Sequence, residues 1–458
     1  MDKILYRSTN RKSGLVAFKE ALLRGQAPDY GLYVPADIPK LSKKEIGSFK
    51  NKGYRYIAFH VAKKFLEDEI EDKDLRLLIK ESYNFKIPLE RAGGSLHIMR
   101  LDKGPTASFK DFAARLMARL MHHFSRRENR KLTVLVSTSG DTGGAVADAF
   151  NGLGSVNVVI LFPSKGVSPV QRMQMTTLGK NVMAFAVEGD FDDCQALVKQ
   201  AFNDEDLKKF NLTSANSINF GRLLPQVFYY FYAYSRFGKG RALFSVPSGN
   251  FGNLMGGVIA KEMGLPVEKF IVAVNENDEF PRFLKSGIYR PVQPSKKCSS
   301  NSMNIGHPSN LARLIDLYGG WMYDKRNRDG KIIKKGVLRQ KPDMERMNMD
   351  FASYSITDEE AGMAIKKFYA RYKKLLEPHG AVAWCGLEKY GKSNKIGLGI
   401  SLETADPAKF PDEIKRMLGF EPKIPKSLAG LDKKQEKFEV IKNDYKEFKS
   451  RLIRFLKP

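Results

Sequence analysis

Cysteine is scarce. The 458 residues hold three, Cys194, Cys298 and Cys385, far apart and with no Cys-x-x-Cys pair. That argues against a disulfide framework and a thiolate zinc site, and a reducing, cytoplasmic location is the expectation. Long hydrophobic runs are missing too. None approaches the ~20 residues that a membrane helix needs, and residues 1–8 lack the apolar core of a secretory signal, so no membrane association is expected. The six histidines (His60, His97, His122, His123, His307 and His379) show no His-x-x-x-His or His-Glu-x-x-His spacing, and no metal site is expected. No Gly-x-Ser-x-Gly elbow follows a strand-like run, which leaves a Ser-His-Asp hydrolase unsupported. Internal repeats and low-complexity tracts are absent as well.

What is present is a globular composition with a strong charge. Apolar residues make up 42% of the chain and charged residues 28%. A chain this long has room for about two to four domains, each with its own core. Lysine and arginine outnumber the acids 77 to 51, a net charge of +26. Such a surplus brings nucleic acid or an anionic surface into view as a partner. The cations are scattered, however, and densest at residues 325–341 and from 423 onward, where in the second region they mix with acids as on a solvated helix. No zinc-finger spacing or aromatic RNA-binding signature accompanies them. A basic nucleic-acid-binding protein is the distant alternative, and no nucleic-acid partner is expected.

Residues 1–95 read as a small, mostly helical domain, with helical periodicity at 54–66 and 73–83 and a short extended piece at 31–35. From 96 to about 430 the pattern changes. Apolar runs rich in branched residues at 132–138, 156–162, 182–187, 243–247, 270–274 and 396–402 alternate with helix-forming stretches. Such runs are strands buried on both faces, so the expected class is α/β. Parallel-sheet domains carry helices on both faces, beside the small N-terminal helical domain. Residues 280–355, with Pro281, Pro291, Pro294 and Pro308, interrupt that rhythm as an irregular insertion. Thr357 and Glu360 form a capping-box pattern at the head of a helix over 356–376. The last stretch, 431–458, is expected to be a basic helix that docks Phe438, Ile441, Tyr445, Phe448, Leu452 and Phe455 on the body.

Residues 104–112, Gly-Pro-Thr-Ala-Ser-Phe-Lys-Asp-Phe, run small turn-forming residues into Lys110 and then into an amphipathic helix with Phe112, Leu116, Leu120 and Phe124 on one face. A cation at a helix N-terminus is disfavoured, and a lysine depressed there becomes a better nucleophile toward a carbonyl. An ordinary first-turn surface lysine looks the same in sequence. Three polar loops follow strand-like runs. In 248–253, Ser-Gly-Asn-Phe-Gly-Asn, two glycines let N–H groups converge on an anion, although an ordinary strand–helix turn has this look too. In 138–142, Thr-Ser-Gly-Asp-Thr, hydroxyls and backbone donors suit a carboxylate, and 403–407, Glu-Thr-Ala-Asp-Pro, is the third. Parallel sheets bind ligands beyond the C-terminal ends of their strands, where these loops fall. A lysine, a phosphate cradle and a carboxylate loop on one such sheet suggest pyridoxal phosphate acting on an amino acid.

Six motifs then stand in a recognisable order: residues 104–112, Ser-Thr-Ser-Gly-Asp-Thr-Gly-Gly at 137–144, Ser-Ala-Asn-Ser-Ile-Asn at 214–219, Val-Pro-Ser-Gly-Asn-Phe-Gly-Asn at 246–253, Glu-Pro-His-Gly-Ala-Val-Ala at 377–383 and Thr-Ala-Asp-Pro-Ala-Lys-Phe at 404–410. Together they resemble the threonine synthase family, in its longer branch with an extra N-terminal domain. The resemblance implies a lyase of fold type II, tryptophan synthase β-like, with pyridoxal 5′-phosphate as cofactor. It would turn O-phospho-L-homoserine and water into L-threonine and phosphate, the last step of threonine biosynthesis. The small-molecule substrate is the expected partner, and the chain would be a monomer or a homodimer.

Carried over by motif, Lys110 is the Schiff-base lysine and later the acid and base. Gly249, Asn250, Phe251, Gly252 and Asn253 hold the cofactor phosphate, Thr404 faces the pyridine nitrogen and Asp141 lies near the ring oxygen. Thr138, Ser139, Gly140 and Thr142 take the substrate carboxylate, and Asn216, Ser217 and Arg222 take its phosphate. Two positions depart from the family pattern, where histidine is common: Lys103 and Asp406. If Asp406 replaced Thr404 at the nitrogen, the ring would be protonated. The first alternative is a threonine-synthase-like lyase that gives 2-oxobutyrate and phosphate.

Overall fold

The computed structural model describes residues 3–138, 140–327 and 330–457. Two parallel sheets organise it. One has five strands in the order Glu439–Lys442, Val182–Glu188, Val156–Pro163, Leu132–Ser137 and Leu212–Ser214, all parallel. The other has six, in the order Phe351–Ser355, Val267–Val274, Ala242–Pro247, Gly399–Glu403, Leu96–Arg100 and Leu89–Arg91, with only the last pair antiparallel. The central strands are apolar on both faces because helices cover both. All six residues of Leu132–Ser137 and all six of Ala242–Pro247 are buried. This is the α/β class that the alternating pattern predicts.

The first residues add a small sheet to the expected helices, its last strand falling on the expected extended piece. Leu5–Ser8, Val16–Ala17 and Tyr33–Pro35 form a small antiparallel sheet beside helices Phe18–Arg24, Tyr54–Leu66 and Asp72–Ser82. Strands of two to four residues are too short to show a period of two in sequence.

The stretch 431–458 is not one helix. A short 3-10 turn at Leu431–Lys433 leads to Glu439–Lys442, a strand on the edge of the five-stranded sheet, and among the described residues the α-helix spans Tyr445–Leu456. Ile441 is buried and Val440 is 55% exposed, which is the alternation of a half-buried strand. Asp444 then caps the helix by accepting from the Glu447 N–H. Apolar residues at 438, 441 and 445 keep the helical spacing of three and four, and the pairing with Val182–Glu188 overrides it at 439–442.

Residues 280–355 are more regular than the prolines suggest. They carry helices Leu311–Leu317 and Met344–Asp350, an antiparallel hairpin of Trp321–Arg326 with Ile332–Gln340, and the edge strand Phe351–Ser355. Thr357 and Glu360 do form the expected capping box, at the head of Asp358–Tyr372. The chain between Leu132 and Glu403 thus ends strand after strand on the same side, where the three polar loops lie. No helix of the described residues is long and apolar enough to cross a membrane.

Candidate active site

Helix Lys110–Arg127 begins at Lys110 itself and is buried on most of its surface, Phe112, Leu116, Met117, Leu120 and Met121 completely. The loop before it is held by the next residue in the chain. Asp111 accepts from the Thr106 N–H at 2.9 Å and the Thr106 hydroxyl at 2.6 Å. A Cβ on Gly104 would lie 2.3 Å from an Asp111 oxygen, so only glycine fits there. Burial raises the Asp111 carboxyl to about 6 despite those bonds. The loop is also stitched to the third polar loop: Phe109 N–H donates to Thr404 O at 2.8 Å and Asp406 N–H to Ala107 O at 3.0 Å. Segments three hundred residues apart therefore move as one piece.

The Lys110 amine is 12% exposed and lies 3.5 Å from Asp141 Oδ2 and 3.3 Å from the Ser302 hydroxyl. Burial pushes the lysine below its ordinary range; Asp141 pulls it back up, and Lys409 and Arg222 push it down again. Asp141 heads helix Asp141–Phe150. Burial would raise its carboxyl, but the ammonium groups of Lys409 and Lys110 outweigh that and hold it well below the usual range. Lys409 has no exposed side-chain surface and reaches Asp141 Oδ1 at 2.6 Å.

A hydrogen-bonded chain leads from Thr404 toward the lysine. Thr404 Oγ1 donates to Glu377 Oε1 at 3.2 Å, and the other Glu377 oxygen meets His379 Nδ1 at 2.5 Å. His379 Nε2 accepts from the Ser302 N–H at 3.1 Å, so Nδ1 carries the ring proton. Glu377 also caps helix Pro378–Gly391 through the His379 and Gly380 N–H groups. Behind it, Glu403 Oε1 accepts from the Glu377 N–H at 2.7 Å. Burial raises the Glu403 carboxyl strongly, with Arg100 opposing and Glu377 reinforcing. Asp406 does not join this chain. Its carboxylate accepts from the Ala408 N–H at 3.0 Å and pairs with Lys103 at 3.2 Å. The two departures from the family pattern are thus partners of each other.

The glycine loop ends in helix Gly252–Glu262, whose N-cap, Phe251, holds a left-handed φ of 59°. Asn250 and Asn253 spend their side chains on the loop itself. Asn250 Oδ1 accepts from Ser309 N–H and hydroxyl, and Asn253 Nδ2 donates to Pro247 O. Asn253 Oδ1 also accepts from the Leu254 N–H, which leaves the Gly252 and Asn253 N–H groups at the head of the helix as its anion donors. A Cβ on Gly252 would stand 3.7 Å from Ser217, so the 214–219 loop lies alongside. Arg222 is 4% exposed, donates to Ala215 O at 2.6 Å, and its Nε has no partner. Asn216 Oδ1, also buried, is unpartnered among the described residues. Burial lowers the Arg222 guanidinium to about 10. The Thr138 hydroxyl oxygen accepts from the Gly140 and Gly143 N–H groups, shaping the turn. Gly140 has φ 139° and no room for a Cβ against Gln171, while Ser139 lies outside the described residues. Thr142 stands one residue into the same helix as Asp141.

Sequence reasoning gave no role to Ser302, Glu377, His379, Lys409 or Arg313. Arg313 is completely buried and faces no carboxylate. It donates to Tyr33 O at 2.8 Å, Ile218 O at 2.6 Å, Ser217 O at 3.2 Å and Asn310 Oδ1 at 2.6 Å. It ties the N-terminal sheet, the 214–219 loop and the insertion together. A capped Pro-His-Gly start was visible at Glu377; nothing in the sequence marks a buried arginine. Replacing Arg313 with Met should leave the Tyr33 and Ile218 carbonyls without their donor, at about 1–3 kcal/mol each. The urea midpoint should fall by the equivalent of about 2–4 kcal/mol at unchanged slope; an unaltered midpoint would remove the clamp.

Family models tile the chain in order. Residues 5–83 match the threonine synthase N terminus, 84–401 the pyridoxal-phosphate dependent enzymes and 380–451 the threonine synthase C-terminal region. The chain is similar to threonine synthase of Haemophilus influenzae, with 36% identity over 445 residues, 96% of this chain and 97% of the other. Among solved structures it is similar to the pyridoxal-phosphate-bound threonine synthase of Brucella melitensis, at TM-score 0.91, 34% identity and full coverage of both chains. It is similar too to the yeast enzyme, at TM-score 0.89 and 34% identity, covering 99% of this chain and 98% of that one.

Proposed function

We propose a function from one premise: the chain belongs to the threonine synthase family. It is a fold type II, pyridoxal-phosphate-dependent lyase that converts O-phospho-L-homoserine and water to L-threonine and phosphate. The observation that carries this reading is the meeting of Lys110, Asp141 and the heads of the glycine-loop helix and Arg222 on one side of two parallel sheets. The residues fit the cofactor. A buried, depressed amine can join its aldehyde, the first turn of helix Gly252–Glu262 can hold its phosphate through residues 249–253, and the Thr404 hydroxyl can face its ring nitrogen. Bound there, it supplies an electron sink for the negative charge left when protons leave substrate carbons. The coupling of Asp406 to Lys103 supports Thr404, not Asp406, at the nitrogen. There the Thr404 hydroxyl would turn its one proton from Glu377 to the nitrogen, which leaves that nitrogen largely unprotonated.

In this reading Lys110 moves protons at Cα, and its lowered proton affinity leaves more of it as the free amine that can accept one. The Thr138 hydroxyl, whose oxygen accepts from the Gly140 and Gly143 N–H groups, keeps its proton to donate to the substrate carboxylate, with Ser139, Gly140 and Thr142 beside it in the chain. Asn216, Ser217 and Arg222 hold the phosphate before and after it leaves Cγ. A guanidinium fork suits that task because it binds phosphate oxygens in pairs. Water adds at Cβ while the phosphate is still held. A cytoplasmic location without a nucleic-acid partner belongs to the same reading.

Purified protein given O-phospho-L-homoserine should release threonine and phosphate in equal amounts. Release of 2-oxobutyrate and phosphate without threonine would replace the synthase by a lyase that only eliminates.

A further inference from the structure

The reaction above uses one lysine, and the site contains two. Lys409 Nζ lies 2.6 Å from Asp141 Oδ1 and donates to Thr106 O at 3.1 Å, with no side-chain surface exposed. The other Asp141 oxygen is 3.5 Å from Lys110 Nζ. Gln171 Nε2 donates to Oδ1 at 3.0 Å and the Ser302 hydroxyl to Oδ2 at 3.4 Å. One carboxylate is therefore shared, unequally, between two amines. A lysine that merely stapled the 404–410 turn to the 104–108 loop would need only the Thr106 carbonyl. It would not need the carboxylate that faces the reactive amine.

We propose that Lys409 is a positioning residue, which binds Asp141 from the far side and thereby keeps Lys110 a free amine ready for the cofactor. One negative charge between two ammonium groups leaves the trio with a net positive charge in a buried place, and losing one proton removes it. The proton stays where it is held better. Lys409 has the shorter contact, a backbone carbonyl and no exposure, whereas Lys110 has only the long contacts to Asp141 at 3.5 Å and Ser302 at 3.3 Å, and 12% exposure. The other groups facing Lys110 do not reverse this. Arg222, from the segment Phe220–Arg222, also repels its proton. Ser302 is neutral. His379 turns its unprotonated Nε2 to the Ser302 N–H, and Asp111 points back to Thr106.

The proposal rests on Lys110 as the reactive lysine, and its test is read without cofactor. In the cofactor-free protein, acetylation of Lys110 is followed against pH by peptide mass spectrometry. The wild-type profile should be centred well below the ordinary lysine value of about 10.4. Lys409→Met should free Asp141 to pair wholly with Lys110 and remove the repelling charge. Both effects raise the Lys110 proton affinity, so the profile should move to higher pH by a unit or more, with a roughly tenfold slower reaction at pH 7.5 per unit. Lys409→Arg should stay close to wild type. Lys409→Gln, which keeps hydrogen bonds to Asp141 and Thr106 and removes only the charge, is the reading to use if the methionine variant does not fold. A shift in Lys409→Met equalled by Lys409→Arg, no shift in either neutral variant, or a wild-type profile centred near 10.4 overturns the proposal. Failure of the underlying reading would look different. Borohydride would then fix the cofactor on a lysine other than Lys110, whatever the acetylation profiles show.

Discussion

Lys110→Ala should lose both the yellow colour of the bound cofactor and all measurable turnover. The amine is the group that captures the aldehyde and then carries protons, so removing it deletes two functions at one atom. General acid–base catalysis by a placed side chain contributes about 10²–10⁴-fold, and the loss of covalent capture adds to that. The fall in kcat should therefore be at least about three orders of magnitude. The fold should survive. Lys110 opens its helix, and its side chain reaches only Asp141, Ser302 and the Phe109 ring. Removing a depressed cation also relieves burial, so the thermal midpoint should hold or rise slightly. In wild type, borohydride reduction followed by digestion should place the cofactor on the peptide containing Lys110. Retention of a tenth of the activity in Lys110→Ala, or fixation on Lys409, would transfer the role elsewhere.

The sequence shows that site unevenly, for physical reasons. Strands such as Leu132–Ser137 announce themselves because burial on both faces demands an unbroken apolar run. The loops after them could be found because a tight turn before a helix needs glycine and short polar residues. Lys110 was legible from the turn before it and the periodicity after it. Its electrostatic surroundings were not. Lys409 stands in a Pro-Ala-Lys-Phe turn that says nothing of burial, and it becomes part of the site only because the Ser108–Ala405 bridge brings that turn against the lysine loop. Arg313 and Tyr33 are 280 positions apart in the chain, and Arg7 meets Asp316 over 309. Pairings of that range leave no periodicity to read. The strand Glu439–Lys442 was hidden for the opposite reason: the apolar residues around it keep a helical spacing, and only the sheet edge makes these four residues a strand. The departures Lys103 and Asp406 looked like two separate doubts in sequence, and in space they form a single ion pair.

Arg222→Met should raise KM for O-phospho-L-homoserine by about two to four orders of magnitude and leave cofactor binding intact. The guanidinium is 4% exposed, its Nε has no partner, and its proton affinity is lowered to about 10 by burial, with only Asp111 as a compensating charge. A buried cation kept uncompensated in the free protein is a cost to folding. An arriving phosphate offsets it by supplying the anion, through charge-assisted hydrogen bonds of about 1.5–3 kcal/mol each. Two such bonds correspond to the predicted range of KM, since about 1.4 kcal/mol is a factor of ten. The same reasoning predicts a second, opposite effect. Methionine fills much of the space without the charge, and relief of that charge offsets the lost bond to the Ala215 carbonyl, so the variant should unfold at equal or higher urea concentration than wild type. Loss of binding together with gain of stability separates a residue held for its ligand from one that holds the fold, which is the role assigned to Arg313. An Arg222→Met protein that is both weakened in urea and unchanged in KM would make Arg222 structural and move the phosphate elsewhere. Inorganic phosphate, as a competitive inhibitor, should weaken in parallel with the substrate, because the shared group is the one that Arg222 contacts.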